Sequence, residues 1–538
     1  MEPRDQGQPP SERPNPFFIP ALPQHGRRWF LGALGLLGAM AAGARAAEPA
    51  TPAAPAKGGK EGKGGKRGGA GGGRGEGKGA FVVPAEHADQ NALSVVLGRV
   101  TANSATFSLL APTASEAYLE IGAAPGKYDR KTAVTALPAG QPVEVEVDGL
   151  RPDSRVHYRL HHRKAGAPAF AARPEQGFST QRAPGSAFTF TIQGDSHPER
   201  MGKVSNPELY ARTLAHAAAS RPDFHICMGD DFSVEQVRTI SPESLAAPYV
   251  LQRPFLGIVG QTAPLFLLNG NHEQASLYNY SQTDDRRAVA VGAQVARNRF
   301  YPTPKAGAFH SGDPTPWKDI GELRSYCAWT WGDALFVILD NYWHSPALVD
   351  SGFKGEDTRG GGKGRDRDWW GITLGDAQYA WLKRTLEQSK ARHKFVFAHH
   401  VLGTGRGGVE EAELYEWGGK GKGGTFAQKR PGWELPVHQL MAKHKVSVFF
   451  QGHDHLYCRQ EKDGVVYQEL PMPSDSTYEA LNADRYAGGP VLPNSGYVRV
   501  SVSPAEVKVE YVRTFLPKDE SVDRRHGAVA HSYVVKPR

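Results

Sequence analysis

The chain has 538 residues, 39% of them hydrophobic and 22% charged, and a formal net charge of +8. Of that charge, residues 1–46 carry +2 and residues 47–80 carry +4, which leaves +2 for the remaining 458. A nearly neutral body excludes a basic nucleic-acid-binding stripe, its apolar content excludes a mainly disordered chain, and three cysteines (Cys227, Cys327, Cys458) exclude a disulfide scaffold or a CxxC metal site while leaving room for one bridge.

In chain order, residues 1–47 read as an export signal. Arg27-Arg28 stand just before Phe30-Leu31, a small-residue apolar run follows, and the segment closes on Ala44-Arg45-Ala46-Ala47, an A-x-A cleavage pattern. The run is shorter than the ~20 apolar residues a membrane span needs, so no stable span is expected in the mature protein. The basic pair resembles the bacterial twin-arginine signal, which implies the twin-arginine export machinery as a partner and a periplasmic or extracellular location. Residues 48–80 are Ala/Pro-rich and then Gly/Lys-rich, with no apolar side chains to bury, and are expected to form a flexible linker.

Residues 81–182 consist of short alternating runs, 94–100, 105–110, 116–121, 143–147 and 156–160, punctuated by Gly, Pro and Asp. That pattern predicts a small all-β sandwich. The stretch 147–159 resembles the end of a fibronectin type III-like domain, with Val156 where such domains usually place Tyr.

After Ala183-Pro184-Gly185 the texture changes, and residues 186–538 read as one domain. Apolar runs at 188–192, 224–228, 264–268, 335–339, 394–398 and 446–450 have the character of buried strands, and helix-period segments such as 207–218 and 376–388 lie between them. This alternation predicts an α/β fold. Loops at the carboxyl ends of such strands are where these folds keep their chemistry.

Five strand ends carry metal-ligand residue types: Gly194-Asp195-Ser196-His197, Gly229-Asp230-Asp231, Gly270-Asn271-His272-Glu273, Ala398-His399-His400 and Gly452-His453-Asp454-His455. Two divalent ions roughly 3.5–4 Å apart need a shared anionic bridge with neutral or anionic N/O ligands on either side. A carboxylate can bridge, imidazoles and an amide oxygen can fill the outer positions, and no Cys is required.

The series D-x-H, GD, GNHE, H and GHxH, from Asp195 to His455, resembles the calcineurin-like metallophosphoesterase superfamily. The resemblance implies a four-layer α/β/β/α sandwich with a dinuclear centre of Fe, Zn or Mn. Asp195, His197 and His455 would hold one ion, Asn271, His399 and His453 the other, and Asp230 would bridge, with His400 as the alternative to His399. It further implies hydrolysis of a small phosphorylated substrate, a phosphomonoester or phosphodiester, by a hydroxide held between the ions. Asp230 and His272 would then be the catalytic pair, His272 protonating the leaving oxygen or stabilising the transition state beside Asn271. His197 and Ser233 stand where purple acid phosphatases have Gly and Tyr, so a purple ferric site is not expected. Ser233 also interrupts the GDxxDRG pattern of protein phosphatases.

Two Gly/Lys/Arg-rich stretches, 351–368 and 403–424, interrupt the domain, and the second should border the metal mouth. Arg406 and Trp417, with Trp433 of the following Arg430-Pro431-Gly432-Trp433, are candidates to bind phosphate or stack a leaving group there, but for each of them a solvated loop with a packing Trp is the favoured reading. Cys227 and Cys458 read as small buried apolar residues. The competing readings are an extracellular nuclease or nucleotidase of the same superfamily and a non-catalytic surface-binding protein with a vestigial metal site.

Overall fold

Predominantly apolar runs suit strands covered on both faces, and the computed structural model buries nearly every residue of the six runs after Ala183. It describes residues 81–234, 237, 239–275, 286–345, 369–401 and 406–538. The export signal, the 48–80 linker, the 351–368 stretch and positions 403–405 of the second loop lie outside the described residues.

The amino-terminal region holds two antiparallel sheets. Strands β1 (Ser94–Gly98), β2 (Ala105–Leu110) and β4 (Pro142–Val147) form one; β3 (Ser115–Gly122), β5 (Arg155–Lys164) and β6 (Gln176–Ser179) form the body of the other. β3 and β5 pair from Ser115↔Lys164 to Gly122↔His157. Alternate residues of both strands, Ala117, Leu119 and Ile121 on one and Val156, Tyr158 and Leu160 on the other, are buried, with Leu119 opposite Leu160 and Ile121 opposite Tyr158, the period-2 pattern of a half-covered sheet.

Beyond it lie two larger sheets. The first runs in the order β9 (Leu265–Leu267), β8 (His225–Cys227), β7 (Phe188–Gln193), β16 (Gly496–Val502), β17 (Val507–Arg513), β18 (Val529–Val535). The second contains β10 (Cys327–Trp331), β11 (Ala334–Ile338), β12 (His393–Phe397), β13 (Val448–Gln451), β15 (Val465–Glu469) and β14 (Tyr457–Lys462), in that order. Their facing sides meet through aromatic rings: Phe190 of β7 packs edge-on against Phe336 of β11 and Phe395 of β12, with centroids 5.2 and 5.6 Å away. Helices α1 (Pro207–Ala219), α2 (Pro242–Gly260) and α3 (Arg286–Phe300) share an apolar cluster with the first sheet. Helices α4 (Asp376–Gln388) and α5 (Val437–Lys443) share another with the second. The result is a four-layer α/β/β/α sandwich preceded by a small β domain.

Asn206 caps α1 through its side chain, which accepts from the Leu209 N–H at 3.0 Å, and Pro207 fills the first helical position. α2 is likewise capped, by Ser241, whose side chain accepts from the Ser244 N–H at 3.2 Å, and opens on Pro242, but Pro248 and Pro254 punctuate its interior. It is buried along its last turns where the small domain covers it. A Cβ on Gly257 would sit 2.2 Å from Gln90 Oε1, so a larger residue there would have to displace the Gln90 side chain. Arg253 of α2, fully buried, donates to the Ser108 and Phe300 carbonyls at 2.7 and 2.6 Å, and Tyr158 Oη donates to the Gln261 carbonyl at 2.6 Å. Cys227, Cys327 and Cys458 are free and buried. Among the described residues no helix is long and apolar enough to cross a membrane.

Candidate metal centre

The parallel strands β7, β8, β9, β12 and β13 deliver the five motifs to one end of the sheets. Four of the seven expected ligands leave their strands in a left-handed backbone conformation: φ is +43° at His197, +56° at Asp230, +78° at His453 and +58° at His455. Non-glycine residues rarely sit there, and the surrounding hydrogen bonds must hold them. At Asp230 that hold comes from Glu273. Its carboxylate accepts from the backbone N–H groups of Asp230, Asp231, Phe232 and Gly270 at 3.0, 2.8, 2.7 and 2.6 Å, tying the second motif to the third.

The seven side chains converge and are all buried. His197 Nε2 and His455 Nε2 lie 3.1 Å apart, and His455 Nε2 is 3.0 Å from Asp195 Oδ2. His399 Nε2 lies 3.1 Å from Asn271 Oδ1 and 3.2 Å from Asp230 Oδ2. Ligating atoms of Asp195, Asp230, His399 and His453 all fall within 4.8 Å of one another, as do those of Asp195, His197 and His455. His399 Nδ1 donates to the Met228 carbonyl at 2.8 Å, which aims Nε2 inward. His400 is turned instead to its neighbour, with Nδ1 2.7 Å from the Val401 carbonyl.

This donor set fits cations. Two imidazole nitrogens 3.1 Å apart can share one proton at most, and His453 Nε2 is buried with no hydrogen-bond partner among the described residues. Burial, Arg406 and the neighbouring His400 and His399 hold His453 well below the usual histidine range, and burial brings His455 down to about 4 despite Asp195, so both keep their lone pairs. Burial opposes ionisation of Asp195 and Asp230, yet His399 and the other imidazoles outweigh it and hold both carboxyls low. Burial likewise works against a charged His399, but Asp230 and Asp195 push it up to about 10. A cation of matching charge can replace that proton.

His272, expected beside the substrate, has Nε2 3.7 Å from Asp230 Oδ2 and 3.1 Å from Arg200 Nη2, while its backbone N–H donates to Asp230 Oδ1 at 2.9 Å. Arg406 Nη1 donates to the His453 carbonyl at 2.6 Å and to Asp454 Oδ1 at 2.9 Å, contacts that brace the last motif. The two tryptophans are elsewhere. Trp417 is fully buried and donates to Tyr467 Oη at 2.9 Å; Trp433 stacks on Tyr379 at 3.8 Å and donates to Asp376 at 2.7 Å. Both pack in the core of the second sheet's outer layer, because their rings are larger than a Gly-rich loop can leave exposed without cost.

Sequence reasoning assigned no role to Glu199 or Arg200, which follow His197 and Pro198. Glu199 Oε1 lies 2.8 Å from His197 Nδ1. The available signal was position alone, two charged residues within five of Asp195.

The family model described as calcineurin-like phosphoesterase matches residues 188–457. Among solved structures, that of PhoD has a TM-score of 0.55 at 15% identity, covering 82% of this chain and 90% of PhoD, a likeness of fold. The anchor in the inner membrane complex of Plasmodium has a TM-score of 0.36 at 11% identity, over 65% of this chain and 89% of that one. Phosphopantetheinyl hydrolase from Mycobacterium tuberculosis has a TM-score of 0.25 at 15% identity, over 54% and 91%. No curated protein sequence matches the chain.

Proposed function

Because the chain belongs to the calcineurin-like phosphoesterase family, we propose that it is an exported phosphoesterase that uses two metal ions to hydrolyse phosphomonoesters, phosphodiesters or both. The observation that carries this reading is the convergence of Asp195, His197, Asp230, His399, His453 and His455 with Asn271 at one end of the two sheets. Asp195, His197 and His455 would hold one ion, Asn271, His399 and His453 the other, with Asp230 between them. Such ions, whether Fe, Zn or Mn, supply Lewis-acid charge and an activated water for attack on phosphorus.

The protein's own part is placement. Glu273 fixes the Asp230 and Asn271 loops, the Met228 carbonyl orients His399, and the Asp195 carboxylate joins the first motif to the last. His272 stands over Asp230, where it can contact a phosphoryl or leaving oxygen. The amino-terminal segment would direct the protein through the twin-arginine machinery.

The test is hydrolysis by the purified protein, stripped of metal and then supplied with Mn²⁺, Zn²⁺ or Fe²⁺, of p-nitrophenyl phosphate and of its bis-ester. Turnover restored by metal supports the reading. No turnover with any of these ions would return it to a binding protein.

A further inference from the structure

We propose that Arg200 is a substrate-binding residue that recognises the third charged oxygen of a phosphomonoester and so biases the site toward monoesters over diesters. This rests on the phosphoesterase reading above. Pro198–Arg200 is a single 3-10 turn that begins on the left-handed His197. Pro198 is buried and starts the turn. Glu199 points inward: its side chain is 11% exposed, it holds His197 Nδ1 at 2.8 Å, and it lies 3.5 Å from Arg200 Nε. One carboxylate therefore fixes both an expected metal ligand and the direction of the guanidinium.

Arg200 Nη2 reaches 3.1 Å from His272 Nε2, the nitrogen that stands 3.7 Å from Asp230 Oδ2. Asp230 and His272 are each 1% exposed, whereas the Arg200 side chain is 23% exposed. The guanidinium is thus one imidazole away from the carboxylate between the two proposed cation sites, and it is the first group of that series that solvent, or an arriving anion, meets. A guanidinium donates and never accepts, so in this contact His272 Nε2 is the acceptor. Arg200 thus places a fixed positive group beside His272.

Counting charges gives the selectivity. A phosphomonoester dianion has three non-bridging oxygens; a diester monoanion has two, and its fourth substituent is a second, uncharged alkoxy or aryloxy oxygen. Two cations and one guanidinium match three charged oxygens. A planar donor fork suits such an anion better than the point charge of a lysine.

The experiment compares Arg200→Ala and Arg200→Lys with the wild type, all metal-loaded, on p-nitrophenyl phosphate and bis(p-nitrophenyl) phosphate, and measures the rise in Tm that inorganic phosphate gives each protein. For Arg200→Ala the monoester-to-diester ratio of kcat/KM should fall about 30-fold or more, most of the phosphate-induced rise in Tm should vanish, and the lysine variant should lie between. An unchanged ratio with an unchanged Tm response overturns the assignment while leaving the phosphoesterase reading intact. Should the wild type hydrolyse neither ester, that reading falls, and the Tm response to phosphate alone decides whether Arg200 binds the anion.

Discussion

Asp195 and His453, 258 residues apart in the chain, are joined by a hydrogen bond: the backbone N–H of His453 donates to Asp195 Oδ1 at 3.0 Å. The other oxygen of the same carboxylate lies 3.0 Å from His455 Nε2. A single side chain at the end of β7 therefore sets the register of the loop after β13, and its charge serves the cluster while its geometry serves the backbone.

The two roles separate on mutation. Asp195→Asn keeps an oxygen for the His453 N–H and should fold with a Tm close to that of the metal-free wild type, while binding fewer ions by elemental analysis. Asp195→Ala loses both roles and should be destabilised by about 1–3 kcal/mol in urea as well. Equal stability of the two variants would contradict the shared role.

Glu273 accepts four buried backbone N–H groups, so Glu273→Ala leaves all of them without a protein partner. A loss of more than about 3 kcal/mol in urea unfolding is expected, and Glu273→Gln, with one acceptor oxygen left, should lose less. A neutral alanine variant would show that the loop is held by something else.

His399 and His400 are told apart by metal content. His399 Nε2 faces Asn271 and Asp230, while His400 Nδ1 faces the Val401 carbonyl. His399→Ala should bind about one ion fewer per chain, and His400→Ala should retain the full complement by elemental analysis. The reverse result would move the ligand to His400.

Metal uptake should release protons. In the metal-free protein Asp230 and Asp195 overcome burial and push His399 up to about 10, against an unfolded value of about 6.5. Its contribution to metal-free stability is then full below about pH 6.5 and is lost as pH rises through about 10. A cation must expel the same proton, so affinity should climb with pH over that window. Zn²⁺ added at pH 8 in weak buffer should acidify the solution, and His399→Ala should release about one proton fewer per chain. Uptake with no pH change would rule this out.

Trp433 belongs to packing. Stacked on Tyr379, with its Nε1 bound to Asp376, it should lose about 3 kcal/mol of stability on Trp433→Ala. A raised KM for p-nitrophenyl phosphate without a change in Tm would restore it to the mouth of the site.

The ligand series could be read from the sequence because each member follows an apolar strand and because coordination admits so few residue types. The layers were legible for a similar reason: Phe188, Phe190 and Ile192 alternate with Thr189 and Thr191, and 376–388 repeats at helical period. Glu199, Arg200 and Glu273 were harder, since a charged residue next to a motif looks the same whether it faces water or backbone. Trp417 and Trp433 could be read as packing residues but not given partners, because the glycines and lysines around them write a loop and Tyr467 and Tyr379 lie 50 and 54 positions away. α2 was hidden by its own prolines.

α2 also governs what can be done with the protein at the bench. Its Gly257 and Gly260 side is covered by Gln90, Ser94 and Val96, and Arg253 is caged by carbonyls from both regions. A shortened chain beginning near Ser186 would uncover that side and strip the arginine of half its cage. Such a fragment would be expected to self-associate during purification. Crystallographers and engineers seeking the hydrolase half alone would need to redesign the surface of this helix or keep the preceding hundred residues in place.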